Sequence, residues 1–406
     1  MISSKALEDV KVVDFGWVLV SPLIVKTLAD YGATAICVES IKSPSISRLG
    51  TPFKEGKPGV DRSGSFAYYA PNKYSISLDM RTPGGMEIAK KLVAWADVVS
   101  ENRRAGIMKE MGLDYAELCK INPGVIMVSS SNQGQNGPYA SHPGLGIHLI
   151  GLGGFNNFIG WPDQEPITLT IAYTDYLTPP LAVATVVAAL DRRRKTGEGQ
   201  FLDISQLEAG LHFLATPLLD YIVNHREPQK MGNASEYAAP HGIFRCKGED
   251  RWCAIAVCNE QEWENFCSAI RHPTWTDDPK FSTLSKRKEN EEELNKRIEE
   301  CTVQYTAEEM MCLMQEAGIA AGVVQNAKDL YEDPQLRHRE FFWAMNHKEM
   351  GEFTHLGEPA ILSKTPARPR MPAPCLGEHT EFICKELLGM GDDEFVDYMI
   401  SGAFGF

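Results

Sequence analysis

The chain has 406 residues, 43% apolar and 23% charged, the make-up of a folded, enzyme-sized protein and not of a disordered or fibrous one. Its 40 basic residues against 54 acidic ones leave a net charge of −14 at pH 7, so the broad basic footprint needed for nucleic acid is missing. The length exceeds what one hydrophobic core usually supports, and two domains, or one large α/β domain carrying an insertion, are expected.

The opening MISSKALEDVKVVDFGW meets charged residues before any long apolar run, which argues against a signal peptide or anchor and for a cytoplasmic protein. The next elements form a βαβ unit. Val10 to Val13 is a short apolar strand, Ser21 and Pro22 read as an N-cap and first helical position, the helix continues to Asp30, and Gly32 closes it. Ala35 to Val38 is the second strand and ends at Glu39, placed like the ribose-binding acid of a dinucleotide fold. The intervening DFGWVLVSPL, however, has one glycine where that fingerprint needs three.

A second unit follows the same grammar: strand Ser75 to Leu78, a helix capped by Thr82 and Pro83 and running to about Trp95, then extended chain over Asp97 to Ser100. Gly112 to Leu118 opens another helix and Val125 to Ser129 another strand, so the first part of the chain reads as a parallel, doubly wound sheet. Residues 145 to 175 are glycine-rich and without periodicity, which predicts a loop region lining a site. Asp175 ends that region, at or just before the N-terminus of a buried helix over Leu177 to Leu190 whose first turn holds Pro179 and Pro180. That stretch is the longest apolar run, and it falls short of the roughly 20 residues of a membrane span. No membrane association is expected.

Phe201 to Ile204 reads as a further strand, and from about residue 225 the texture changes. Ile243 to Cys246 and Trp252 to Val257 alternate like a hairpin, charged helices follow over Lys286 to Thr302 and Ala307 to Gly318, and Gly322 to Gln325 is a strand. Prolines 366, 369, 372 and 374 predict an extended tail before a last helix from Thr380 to Leu388.

Searches for chemistry are mostly negative. HExxH, GxSxG and GxGxxG are missing, and GTPFKEGK from Gly50 to Lys57 has the wrong glycine spacing for a phosphate loop, with Pro58 where a hydroxyl is needed. Ten cysteines include no CxxC and no Cys/His array of zinc-ligand spacing; they read as small buried hydrophobes, and no metal is expected.

Six phrases in order carry a resemblance: NKYSISLDMRTPGGMEIAKKLVAWADVVSENRRAG, GLDYAELCKINPGVIMVSSSNQGQNGPYASHPG, TDYLTPPLAVATVVAALDRRRKTGEGQFLDIS, AAPHGIFRCKGEDRW, DLYEDPQLRHREFF and APCLGEHT. Together they resemble class III coenzyme A transferases, the family of formyl-CoA, carnitine and benzylsuccinate CoA-transferases, over nearly the whole chain. The resemblance implies an α/β fold: a Rossmann-like large domain built from residues 1–224 and 331–406, a small α+β middle domain over 225–330, and two copies interlocked as a dimer.

It also implies chemistry. The family nucleophile matches Asp175 in YTDYLTP, whose carboxylate would form an acyl anhydride and then an aspartyl thioester. Coenzyme A would be a substrate rather than a tightly bound cofactor, held by Trp17, Val18 and Leu19, by Asn72 and Lys73, and by Asn102, Arg103 and Arg104. Three family cations are replaced, by Ser40, Glu110 and Ser131, and the glycine-rich loop of the small domain is reduced in Gly232 to His241. The missing cations raise the prospect of a heteromer with a paralogous, more basic subunit, against a homodimer. The expected reaction moves coenzyme A from an acyl-CoA such as succinyl-CoA to a carboxylic acid. An aromatic or substituted succinate of anaerobic metabolism would suit Trp17, Phe155, Phe158, Trp161, Tyr173 and Tyr176. The alternatives are an acyl-CoA racemase of the same family, using His142 or His148 beside an acid, and a non-catalytic subunit of a heteromeric transferase.

Overall fold

The computed structural model describes residues 5–405. Six parallel strands, β1 (Lys11–Asp14), β2 (Thr34–Glu39), β3 (Lys73–Ser77), β4 (Val98–Glu101), β5 (Ile126–Ser131) and β6 (Gln200–Ser205), lie in the order β3-β2-β1-β4-β5-β6. This is a mixed α/β fold around a central parallel sheet, with the sequence pattern of strands covered on both faces. On one face, helices Val20–Asp30 and Tyr173–Thr196 share a core with Val12, Val98, Ile126 and Val128. On the other, helix Pro83–Trp95 and the C-terminal helix Asp392–Ile400 bury Ile88, Leu92 and Phe395 against Val13, Ile36 and Val99.

Thr82 caps Pro83–Trp95 as its sequence requires, its hydroxyl accepting the Gly85 N–H at 3.1 Å. Two other helix starts differ from expectation. The first helix begins at Val20 with Leu19 as its N-cap, because the Ser21 hydroxyl is spent on Asp14 and Ser100 instead of on its own helix. The long helix begins at Tyr173, so Asp175 sits inside its first turn and Pro179 and Pro180 fall in the second. Proline lacks the N–H that would reach back four residues, so these two leave the Asp175 and Tyr176 carbonyls without their usual helical donors. The predicted loop over 145–175 contains two short helices, Gly146–Leu152 and Phe155–Phe158.

The chain divides into two compact units: one holds everything up to Phe155, Thr168–Glu227 and the chain from Arg337 onward, the other Asn156–Ile167 and Pro228–Leu336. In the second, antiparallel strands β7 (His241–Arg245), β8 (Trp252–Ala256) and β9 (Ala320–Val323) pack with helices around Phe244, Ile255, Phe266, Leu294 and Met310. The charged run from Lys286 breaks at Asn290 into Leu284–Glu289 and Glu291–Thr302.

The return segment in the first unit opens with an unanticipated hairpin, β10 (Phe342–His347) and β11 (Gly351–Leu356). Buried polar side chains tie the segment down. The Asn72 carboxamide donates to Asp30 at 2.6 Å and to the Arg368 carbonyl at 3.1 Å, and accepts the N–H groups of Arg370 and Met371. Asn72 has φ near 62°, a left-handed conformation that asparagine tolerates. Lys26 reaches Asp30 at 2.6 Å and Glu358 at 2.9 Å. The last predicted helix is a short α-turn, Thr380–Phe382, continuing into a wider turn over Ile383–Leu387. Among the described residues, no helix is long and apolar enough to cross a membrane.

Candidate active site

Strand order reverses between β1 and β4, so the connections leaving their paired C-terminal ends run to opposite sides and open a crevice, the position at which doubly wound sheets hold ligands. A cavity of about 340 Å³ lies there. Its wall comes from the loop after β1 (Trp17, Val18), from the loop after β4 (Asn102, Arg103, Arg104), from Ser131 and Asn132 at the end of β5, and from Gln206 after β6. Asp175 reaches the same cavity from the first turn of its helix. Of the residues expected to form the site, the structure places Trp17, Val18, Asn102, Arg103, Arg104 and Asp175 around this one cavity.

Asp175 is 8% exposed, and its Oδ1 has no hydrogen-bond partner. Burial pushes its carboxyl up to about 6, partly opposed by the adjacent Thr174 hydroxyl. The positive end of a 24-residue helix favours the ionised form. The result is an under-solvated carboxylate facing a cavity, which is the state a carboxylate nucleophile needs.

The loop after β1 is tightly made. The Val20 N–H reaches the Val18 carbonyl at 2.9 Å across Leu19, whose φ of 58° and ψ of −80° define a γ-turn of the rare, strained hand. The Asn102 carboxamide accepts the Trp17 N–H at 2.9 Å and donates to the Val18 carbonyl, so this side chain splints the turn. Leu19 is the turn's corner, not part of the cavity lining. Arg103 is partly buried with its Nε unpartnered; burial lowers its pKa, and Glu101 and Asp14 oppose the shift. Glu101 itself is buried, with its carboxyl pushed up by desolvation while Ser129 and the Arg103 N–H donate to it.

A second cavity of about 600 Å³ shares Trp17 and Arg103 with the first and runs past the ends of β2 and β3. Ser40 and Glu110 line it. Arg81 does too, a cation that sequence reading passed over although it lies just beyond a strand end, where such sheets place ligand contacts. Its guanidinium and the Lys42 ammonium both hold Asp79, at 2.8 Å and 3.1 Å. Glu39 is not open to a ribose, because Arg48 grips both its oxygens at 2.7 Å.

Asn72 and Lys73 line neither cavity; each is 1% exposed. The Lys73 ammonium donates to the Pro22 carbonyl at 2.7 Å and lies 3.6 Å from Asp14. Of the six aromatic residues expected around the acid, Trp17 alone is in the lining; Phe155 is buried edge-on against Tyr173 at 5.7 Å. His142 lines the cavity, whereas His148 turns its Nδ1 back to the Leu145 N–H. In the second unit, Gly232 takes φ near 57° with Trp161 packed against it, and the His241 ring bonds the Asn233 carbonyl at 2.7 Å.

Comparison with known proteins identifies the family. The model of the CoA-transferase family III matches residues 7–380. Succinyl-CoA–D-citramalate CoA-transferase of Chloroflexus aurantiacus is 32% identical over 391 residues, covering 96% of each chain. The beta subunit of a succinyl-CoA–L-malate CoA-transferase from the same organism is 28% identical, again over 96% of each. Among solved structures, a CAIB/BAIF family protein from Brucella suis superposes with a TM-score of 0.86 at 30% identity, over 94% of this chain and 99% of that one. The chain belongs to CoA-transferase family III and is an enzyme that moves coenzyme A between an acyl-CoA and an acid.

Proposed function

We propose that the protein transfers coenzyme A from succinyl-CoA to a second small dicarboxylic acid, with Asp175 as nucleophile. The observation that carries this reading is the place of Asp175 in the lining of the cavity at the strand switch point, its carboxyl buried and its Oδ1 without a hydrogen-bond partner. The Asp175 carboxylate attacks the thioester carbonyl, giving an acyl–aspartyl anhydride and CoA thiolate. The thiolate attacks the Asp175 carbonyl, leaving an aspartyl thioester and releasing the donor acid. The acceptor carboxylate attacks that thioester to form a new anhydride and free the thiolate again; attack by the thiolate on the acceptor carbonyl yields the new acyl-CoA and restores Asp175. The thioester bond is conserved throughout, and no nucleotide triphosphate is needed.

Coenzyme A lies along the joined cavities, with its thiol toward Asp175 and its nucleotide toward β2 and β3. Trp17, Val18, Asn102, Arg103 and Arg104 contact it, and Arg81 and Lys42 supply phosphate charge where Ser40 and Glu110 supply none. Asn132, Arg103 and Arg104 in an otherwise largely apolar lining support a substituted succinate as acceptor. A malate or citramalate is the kind of acceptor named for two of its relatives. The protein works as an interlocked dimer with the domain layout set out above, and a basic paralogue replaces one copy if the cations here prove too few.

The test is covalent trapping. After incubation with succinyl-CoA and hydroxylamine, peptide mass spectrometry should find a hydroxamate on Asp175, and Asp175→Ala should abolish both the adduct and transfer. Because His142 lines the same cavity, a racemase is the second reading. Incorporation of solvent deuterium at the α-carbon of a branched acyl-CoA, without transfer, would favour it.

A further inference from the structure

Lys73 is a charged side chain 1% exposed that lines neither cavity, and a lysine is seldom buried without a specific task. Its ammonium touches the Pro22 carbonyl at 2.7 Å and faces Asp14 Oδ2 at 3.6 Å. The other oxygen of Asp14 accepts the Gly16 N–H at 2.8 Å and the Ser21 hydroxyl at 2.7 Å, and Ser21 in turn meets the Ser100 hydroxyl at 2.7 Å on neighbouring β4. These contacts bracket the loop from both sides: Asp14 and Gly16 precede the γ-turn, Ser21 and Pro22 follow it. A β-carbon at position 16 would lie 2.5 Å from the Ser21 Cβ, so the bracket leaves no slack.

Between the two brackets stands Leu19 in a conformation that a non-glycine residue holds only when its surroundings impose it. We infer that Lys73 is a positioning residue: through Asp14 and the Pro22 carbonyl it locks the strained γ-turn that sets Trp17 and Val18 into the cavity wall, and it makes no contact with a phosphate of coenzyme A. Low dielectric around the ammonium strengthens each of these contacts, and removing the charge takes from buried Asp14 the ammonium it faces, leaving it the Gly16 N–H, the Ser21 hydroxyl and the Coulombic pull of Arg103. The catalytic consequence of this inference, though not the structural lock itself, rests on the CoA-transfer reading above.

A phosphate ligand and a positioning residue differ in what the ligand's phosphate does to the mutant phenotype. In Lys73→Met, which keeps length and removes charge, kcat/KM should fall at least about tenfold by the same factor for succinyl-CoA and for its 3′-dephospho analogue. Asp14→Asn and Ser21→Ala should produce the same uniform loss, and the Lys73→Met/Ser21→Ala double variant should lose less than the product of the single losses. Amide hydrogen exchange of the Phe15–Val20 segment should accelerate in each variant, with the melting curve of the rest of the protein largely kept. Ser21→Ala carries the test if Lys73→Met does not fold. A loss confined to 3′-phosphorylated ligands, or exchange at that segment unchanged in both Lys73→Met and Ser21→Ala, would overturn the inference. Failure of the wild-type protein to transfer coenzyme A would defeat the functional reading instead, and the exchange measurement would still decide the lock.

Discussion

Gly146 stands so close to Asp175 that a β-carbon at position 146 would lie 2.4 Å from the Asp175 Oδ1. The start of one helix is therefore cut away to make room for the carboxylate on another. Gly146→Ala must push that carboxylate aside, and displacement of a reacting group by about 1 Å is worth roughly 10²-fold in rate. The added β-carbon would also lie 2.5 Å from the Ala172 Cβ, which has no rotamer to retreat into, so we expect a loss of that order in transfer activity together with a lowered Tm, measured by steady-state kinetics beside thermal melts.

Removing the proposed nucleophile is a harsher test, and its effect on stability is positive. Burial holds the Asp175 carboxyl near 6 against an ordinary 3.8, so the folded protein binds the proton more tightly than the unfolded chain. Stability is therefore lost as pH rises from about 4 to 6, by about 3 kcal/mol at most. Asp175→Asn should abolish transfer by at least about 10³-fold and yet melt higher than wild type at pH 8. A variant that melts lower, or retains a tenth of the activity, would count against the role.

The same shift sets a pH profile. Only the ionised carboxylate attacks a thioester, so kcat/KM should rise tenfold per pH unit below about 6 and level off above about 7. A flat profile between pH 5 and 7 would mean that another group limits the reaction.

Much of this site is legible in the sequence because it sits where the chain leaves strands. The alternation of strand and helix locates β1 and β4, but Trp17, Val18, Asn102, Arg103 and Arg104 are singled out after them only through the family resemblance. What stays hidden depends on partners distant in the chain. Lys73 reads as an available cation until Asp14 and Pro22 close over it, and Ser21 reads as a cap until Asp14 and Ser100 claim its hydroxyl. Glu39 looks like a ribose ligand until Arg48 takes both its oxygens. The β10–β11 hairpin has no turn signal stronger than Gly351, and it is held by contacts such as the His355 ring on the Ala67 carbonyl at 3.0 Å.

That histidine gives an acid-stability prediction. Burial of His355 lowers its pKa to about 4 from 6.5, with the Ala67 carbonyl opposing the shift. The unfolded chain then takes up the proton first, so this residue's contribution is complete above about 6.5 and falls away as pH drops toward 4. Its size is about 3 kcal/mol. Urea midpoints of wild type and His355→Gln should converge between pH 7 and pH 4.5; parallel curves would exclude the assignment.

Assembly supplies the last test. Leu218, Leu219, Tyr221, Ile222 and Val223, all in the helix Ala215–Asn224, are each at least 45% exposed, as is Phe213 just before it. So large an apolar patch on one short helix is far more than a monomer normally leaves in water, and the dimer proposed above would cover it. Light scattering coupled to size exclusion should report about twice the chain mass, or a multiple of it. Ile222→Glu places a charge at the middle of the patch and should release monomer or precipitate, because a buried unpaired carboxylate costs several kcal/mol at an interface. If the wild type runs as a stable monomer at micromolar concentration and Ile222→Glu leaves its behaviour unchanged, the interlocked dimer is excluded.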